Sequence, residues 1–219
     1  MVLNKITRRI SQKKKRNLIT SSYPDSIISE QYRMIQTNIK FSMAGEKSQI
    51  FLITSPNDGE GKSTTAANLA ITIAQQKEKV LLIDANLRKP SLHSFFKTSN
   101  SNGLVDVLNG RVLFHDAIFH TEMGRLDLLP SGPTPNNPVE LLGSQMMHEL
   151  LQKALRSYQI VLIDSNAILD VTDTKLLANQ CDGVVLVIKN GKTKFEKAAE
   201  AKKVLEFAKA KLVGVVMNH

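Results

Sequence analysis

The sequence predicts an α/β fold: one doubly wound domain with a mainly parallel sheet and helices on both faces. Three observations carry this expectation. Short apolar runs recur along the chain without internal alternation, as in strands covered on both sides. Stretches with helical periodicity stand between them. Three of the runs end on a polar or acidic residue, Thr54, Asp84 and Asp164, and ligands bind beyond the carboxyl ends of strands in such sheets.

Taken in order, residues 1–25 read as a basic, mobile tail closed by Tyr23-Pro24-Asp25. Ser26 to Phe41 reads as a helix with the apolar stripe Ile28, Tyr32, Ile35 and Ile39. Gly45 to Gln49 is a polar break. Ile50–Thr54 is a strand, followed by a glycine-bearing loop and a helix over about 62–76. Val80–Asp84 is the second strand. Gly103–Leu108 and Val112–Phe119 are expected as short helices, and Leu126–Leu129 as a strand. Ser131–Pro138 is a Pro/Asn-rich loop, and Glu140–Arg156 a single helix. Ile160–Asp164, Val184–Ile188 and Leu212–Met217 complete the strands, with helices at Thr172–Gln180 and Lys194–Ala210. The domain thus spans 26–219, a length suited to one sizeable core.

The formal charge is +9, unevenly placed. Of 29 basic residues, seven (Lys5, Arg8, Arg9, Lys13, Lys14, Lys15 and Arg16) precede residue 17 with no acid among them, so 22 remain against 20 acids. The body is nearly neutral, and a nucleic-acid partner is not expected, since such proteins spread basic surface over the fold. The tail could meet an anionic inner leaflet, at about 1 kcal/mol per cation, or simply be solvated. Cys181 is the lone cysteine, so no internal disulfide can form. No run approaches the roughly 18 apolar residues of a membrane span, and Asn17 to Pro24 is too polar for a signal h-region. These features fit a cytoplasmic protein whose membrane contact is peripheral, through a partner or the tail. The five histidines show no zinc-ligand spacing with the cysteine.

The segment Ser55-Pro56-Asn57-Asp58-Gly59-Glu60-Gly61-Lys62-Ser63-Thr64 lies between a strand and a helix. Glycines let main-chain N–H groups converge on phosphate oxygens, and the helix presents its positive end to the same anion. Gly59, Glu60, Gly61, Lys62, Ser63 and Thr64 are therefore the nucleotide-binding candidates. Lys62 would reach the β/γ-phosphates and Ser63 would ligate Mg²⁺. The pattern is a P-loop with Pro56 in place of its first glycine. Asp84 and Asp164 converge on the same sheet edge. A carboxylate near a triphosphate is repelled unless Mg²⁺ lies between, which points to metal or water positioning.

With these motifs placed, the chain resembles the bacterial tyrosine kinases, in particular the cytoplasmic kinase subunit of Gram-positive capsule and exopolysaccharide systems, within the deviant P-loop ATPases. The resemblance runs from about Ser29 to Asn218. It rests on Gly59 to Thr65, on Leu82-Ile83-Asp84-Ala85-Asn86-Leu87-Arg88-Lys89-Pro90, on Ile163-Asp164, and on Asn137-Pro138-Val139-Glu140-Leu141-Leu142. It implies transfer of the γ-phosphate of ATP to protein tyrosines, a transmembrane chain-length-determinant protein as activator, and a role in polysaccharide production. The catalytic set it implies is Lys62, Asp84 as the base, Asp164 at the metal, and Arg88 offsetting developing charge. Ser63, Asp84 and Asp164 form the metal set. Glu30 and Arg33 are implied in homo-oligomer formation.

The chain departs from the family pattern in four places. Asn86 stands where a second acid is usual and carries no charge for Mg²⁺ or proton abstraction. Ser165-Asn166-Ala167 replaces a Thr-Pro-Pro turn. Gln36 replaces the second arginine of Glu-x-x-Arg-x-x-Arg. The tyrosines are Tyr23, Tyr32 and Tyr158, with none in a C-terminal cluster, so other proteins are the expected substrates. The alternatives to a kinase are a positioning-type ATPase, disfavoured because Pro56-Asn57-Asp58 lacks the extra loop lysine, and a catalytically weak nucleotide-binding scaffold, suggested by Asn86.

Overall fold

The computed structural model describes residues 18–42 and 49–218. Its seven strands are β1 (Gln49–Thr54), β2 (Val80–Asp84), β3 (Phe119–His120), β4 (Leu126–Leu129), β5 (Ile160–Asp164), β6 (Gly183–Lys189) and β7 (Leu212–Asn218). They form one sheet in the order β3-β4-β2-β5-β1-β6-β7. All neighbours are parallel except β3 and β4. β1 lies between β5 and β6, and the chain leaves it in one direction to β2 and returns on the other side at β6. That reversal is the switch point at which α/β sheets open a crevice.

The apolar runs carry two cores at once. In β1, Ile50 and Leu52 join one core while Phe51 and Ile53 join the other; β2 splits the same way, Leu81 and Ile83 against Val80 and Leu82. One face is covered by α2 (Ile27–Ser42), α3 (Lys62–Gln75) and α4 (Leu92–Phe95). The other carries α5 (Leu104–Leu108), α7 (Gln145–Leu155), α8 (Asp173–Asn179) and α9 (Phe195–Phe207), with α6 (Pro138–Leu142) beside α8. Placing helices on opposite faces for opposite directions of travel is what right-handed crossovers require. No helix among the described residues is long and apolar enough to cross a membrane.

Several elements differ from expectation. The seven basic side chains of the tail lie outside the described residues, as do positions 45–48 of the expected polar break. The tail's last residues are ordered structure: α1 (Ile19–Ser22) docks on α3. Thr20 is buried, its N–H donating to Asn68 Oδ1 at 3.1 Å and its hydroxyl to the Asn68 carbonyl at 3.2 Å. The expected helix 140–156 is two helices. Asn137 caps α6, with Pro138 in its first turn. Gly143 then ends it, and the Ser144 hydroxyl caps α7 by accepting the Met147 N–H. A Cβ at Gly143 would sit 2.9 Å from Leu176 Cδ1, so the break lets α8 approach. Val112–Phe119 is turn rather than helix. Phe114 and Ala117 are buried there, and Phe119–His120 leaves to pair with β4. In α2, Ile39 is buried but Ile28 is 45% exposed, while Gln36 turns inward.

Candidate nucleotide site

The loop after β1 is held in shape by a buried carboxylate. Glu60 is fully buried. It accepts from the Asn57 N–H and side-chain amide, each at 3.0 Å, and from the Thr193 hydroxyl at 2.6 Å. Asn218 Nδ2 donates to the Glu60 carbonyl at 3.1 Å. The Glu60 side chain therefore braces the back of the loop and does not face the phosphate side. Gly61, at φ +95°, precedes α3 in a left-handed conformation that favours glycine. Built there, a Cβ would fall 2.0 Å from Asn218 Nδ2.

In front of the loop is a cavity of about 270 Å³. Gly59, Gly61, Lys62, Ser63 and Thr64 line it, as the sequence predicts, together with Asp58, Asn86, Lys89, Ser91 and Phe95. Lys62 is only 4% exposed, its Nζ 3.7 Å from Asp58 Oδ1. Burying that ammonium at the start of a helix leaves several donors aimed at one small volume, an arrangement that selects an anion.

Asp84 and Asp164 are paired in register across β2 and β5, both fully buried. Asp84 Oδ2 accepts the N–H groups of Ser91 and Leu92, each at 2.9 Å, and Oδ1 accepts the Asn86 N–H at 3.3 Å. Main-chain donors thus fix its carboxylate beside the cavity wall. Asp164 contrasts with it: no main-chain group donates to either oxygen, and the Ser63 hydroxyl beside it lacks good hydrogen-bond geometry. Burial, then the charge of Asp84, pushes its pKa up to about 8, while the nearby Ser63 hydroxyl and Lys62 pull it down. A fully buried carboxyl left without main-chain donors, next to a second carboxylate and a hydroxyl, fits a divalent cation held by Ser63 and Asp164 with Asp84 behind them.

The remaining predicted residues lie elsewhere. Arg88 does not line the cavity; its Nε donates at 3.3 Å to buried Asp173, tying the loop after β2 to the start of α8. Arg33 pairs with Glu30 within α2 and donates to the Pro24 carbonyl at 2.6 Å. Asn86 does line the cavity, its Oδ1 accepting the Lys89 N–H at 3.2 Å. Sequence reasoning missed Asp58 and Lys89 as cavity residues. Lys89 stands three residues beyond Asn86 in a turn, a spacing that returns it to the same mouth. Tyr158 is buried, donating to Asp127 Oδ2 at 2.7 Å, and burial holds its hydroxyl protonated far above the usual range.

Glycine loop, buried lysine and paired strand-end acids on a doubly wound sheet define a P-loop nucleotide-binding protein. In agreement, the AAA domain family model matches residues 48–210. The tyrosine-protein kinase YwqD of Bacillus subtilis is 49% identical over 203 residues, covering 93% of this chain and 86% of that protein. Among solved structures, the kinase domain of the Escherichia coli tyrosine kinase ETK superposes with a TM-score of 0.89 at 30% identity, covering 92% of this chain and 79% of that one. The chimerical protein CapA2B2 gives 0.88 at 39%, covering 92% and 88%. The chain belongs to the bacterial tyrosine-protein kinase family of AAA-domain P-loop proteins.

Proposed function

We propose that this chain binds ATP with Mg²⁺ and transfers the γ-phosphate to tyrosine hydroxyls of other proteins, in the control of capsular or extracellular polysaccharide synthesis. The observation that carries the reading is the buried Asp164 carboxyl, without main-chain donors, facing Asp84 beside Ser63. Loop N–H groups and Lys62 hold the phosphates. Mg²⁺, when bound by Ser63 and Asp164, supplies charge neutralisation for the triphosphate. The resemblance assigns Asp84 as the base for the tyrosine proton; the N–H groups of Ser91 and Leu92 hold its Oδ2 in place. The tyrosine oxygen bonds to the γ-phosphorus as its bond to the β,γ-bridging oxygen breaks, and ADP leaves. Arg88, held against Asp173, positions the loop that carries Asn86 and Ser91 rather than touching phosphate. The resemblance supplies the partner: a transmembrane chain-length-determinant protein, which would also keep the kinase at the inner face of the membrane, with the basic tail as a second attachment. Self-association through the Glu30–Arg33 face of α2 belongs to the same proposal.

The test is transfer of labelled γ-phosphate with the cytoplasmic segment of the membrane partner present. Phosphotyrosine is expected, and it is lost in Lys62→Ala; release of free phosphate alone refutes the kinase reading. A second reading, a nucleotide-binding scaffold with weak catalysis, is favoured by Asn86, which puts an amide in the cavity wall. Asn86→Asp decides between them. A many-fold rise in phosphotransfer with ATP affinity unchanged supports the scaffold, and equal rates remove it.

A further inference from the structure

Asp58 gathers an unusual set of donors. The Gly59 N–H, part of the phosphate loop, donates to its Oδ1 at 2.9 Å. Lys89 Nζ donates to its Oδ2 at 2.9 Å, and Lys62 Nζ stands 3.7 Å from Oδ1. Lys192 Nζ reaches the Asp58 carbonyl at 3.4 Å. Among the described residues, Asp58 is the one acid in the cavity lining, and Lys62 and Lys89 are both in that lining. The Lys89 ammonium above all, with the charge of Lys62 assisting, holds the Asp58 carboxyl below its ordinary range against the opposing effect of burial.

A loop amide, the loop lysine and a second ammonium are the donors a phosphate oxygen takes in such a loop. Here a carboxylate takes the amide and the second ammonium, with the loop lysine close by. Asp58 and a terminal phosphate cannot both keep Lys89 at close range without placing two anions side by side, which is costly unless one gives way. Lys89 is on an exposed, flexible stem, 76% accessible, and can swing.

We propose that Asp58 is an internal surrogate for the terminal phosphate of the nucleotide, and that Lys89 passes from Asp58 to that phosphate when a triphosphate binds. Lys89 is then the residue that distinguishes ATP from ADP. A diphosphate ends short of Lys89 and leaves the Asp58–Lys89 pair closed over the loop. The inference rests on the nucleotide reading above and adds the discrimination between the two nucleotides to it.

The experiment is equilibrium titration of the full chain with Mg–ADP and with Mg–AMP-PNP, a non-hydrolysable triphosphate. Lys89→Met is expected to weaken AMP-PNP about tenfold and ADP by less than twofold. Lys89→Arg keeps most of the preference, and Asp58→Asn tightens AMP-PNP several-fold by removing the competing carboxylate. An equal change for both nucleotides in Lys89→Met, no change for either, or weaker AMP-PNP binding in Asp58→Asn overturns the proposal. Lys62→Ala separates the two levels. If it abolishes both nucleotides while Lys89→Met treats them alike, the site stands and the surrogate falls. If the parent chain binds neither nucleotide, both fall.

Discussion

Replacing Asp164 with asparagine is expected to stabilise the nucleotide-free fold near neutral pH while removing its response to Mg–ADP. The carboxyl is fully buried, without main-chain donors and beside Asp84, and its pKa rises from 3.8 to about 8. Because the folded value is raised, its contribution to stability is full below the unfolded value near pH 4. It is lost as pH climbs toward the folded value, because the unfolded chain releases a proton that the folded chain must keep. At about 1.4 kcal/mol per pH unit, the roughly three units up to pH 7 amount to about 4 kcal/mol. Relaxation around the Asp84–Asp164 pair lowers the expected gain to about 2–4 kcal/mol. An amide of the same shape does not titrate, and its NH₂ can donate toward Asp84. Urea denaturation at pH 4.5 and 7.5 measures the effect. The variant's midpoint should exceed the parent's clearly at pH 7.5 and little at pH 4.5, and Mg–ADP should raise only the parent's midpoint. A variant no more stable than the parent at pH 7.5, or shifted equally at both pH values, would refute the reasoning.

Three further outcomes follow from the same geometry. Gly61→Ala combines a φ of +95° with a Cβ 2.0 Å from Asn218 Nδ2; backbone strain alone costs about 1–2 kcal/mol, and nucleotide affinity should fall at least tenfold by titration. Gly110→Ala, at φ +69° with open space around it, serves as the strain-only control. Tyr158→Phe leaves Asp127 Oδ2 without its 2.7 Å donor. It should lower stability by about 1–3 kcal/mol in urea with phosphotransfer unchanged, and mass spectrometry of the parent should find no phosphate on Tyr158. Asn68→Ala removes the Oδ1 acceptor of the Thr20 N–H and hydroxyl and the amide's bond to the Thr64 carbonyl, leaving the residue-68 carbonyl as an acceptor for the Thr20 hydroxyl; hydrogen exchange over residues 19–23 should accelerate several-fold.

The central strands were legible because their burial is two-sided: runs such as Leu81-Leu82-Ile83 leave no face for water, whereas the edge strand β7 is only half covered, with Val215 and Met217 exposed. The phosphate loop was legible because glycines and lysine have few other reasons to stand at that spacing. What escaped was decided by contacts distant in sequence. The approach of Leu176 makes Gly143 a helix end, though its neighbours alone read as continuous helix. Asn68 gives Thr20 an ordered place in a stretch whose composition reads as tail. Glu60 was grouped with the phosphate ligands, and nothing local shows that Thr193 and Asn57 claim its carboxylate. Arg88 sits one residue from Lys89, but the turn after β2 sends Arg88 to Asp173 and Lys89 to the cavity mouth. Periodicity cannot separate neighbours in a turn.

The bracing of Glu60 also imposes an order on biosynthesis. Its two later partners, Thr193 and Asn218, lie 133 and 158 residues downstream. A ribosome releases the phosphate loop early, yet the pieces that hold it rigid emerge only with the last strand. Until Thr193 has been made, the Glu60 carboxylate rests on Asn57, so the shape of an early element waits on residues from the far half of the fold.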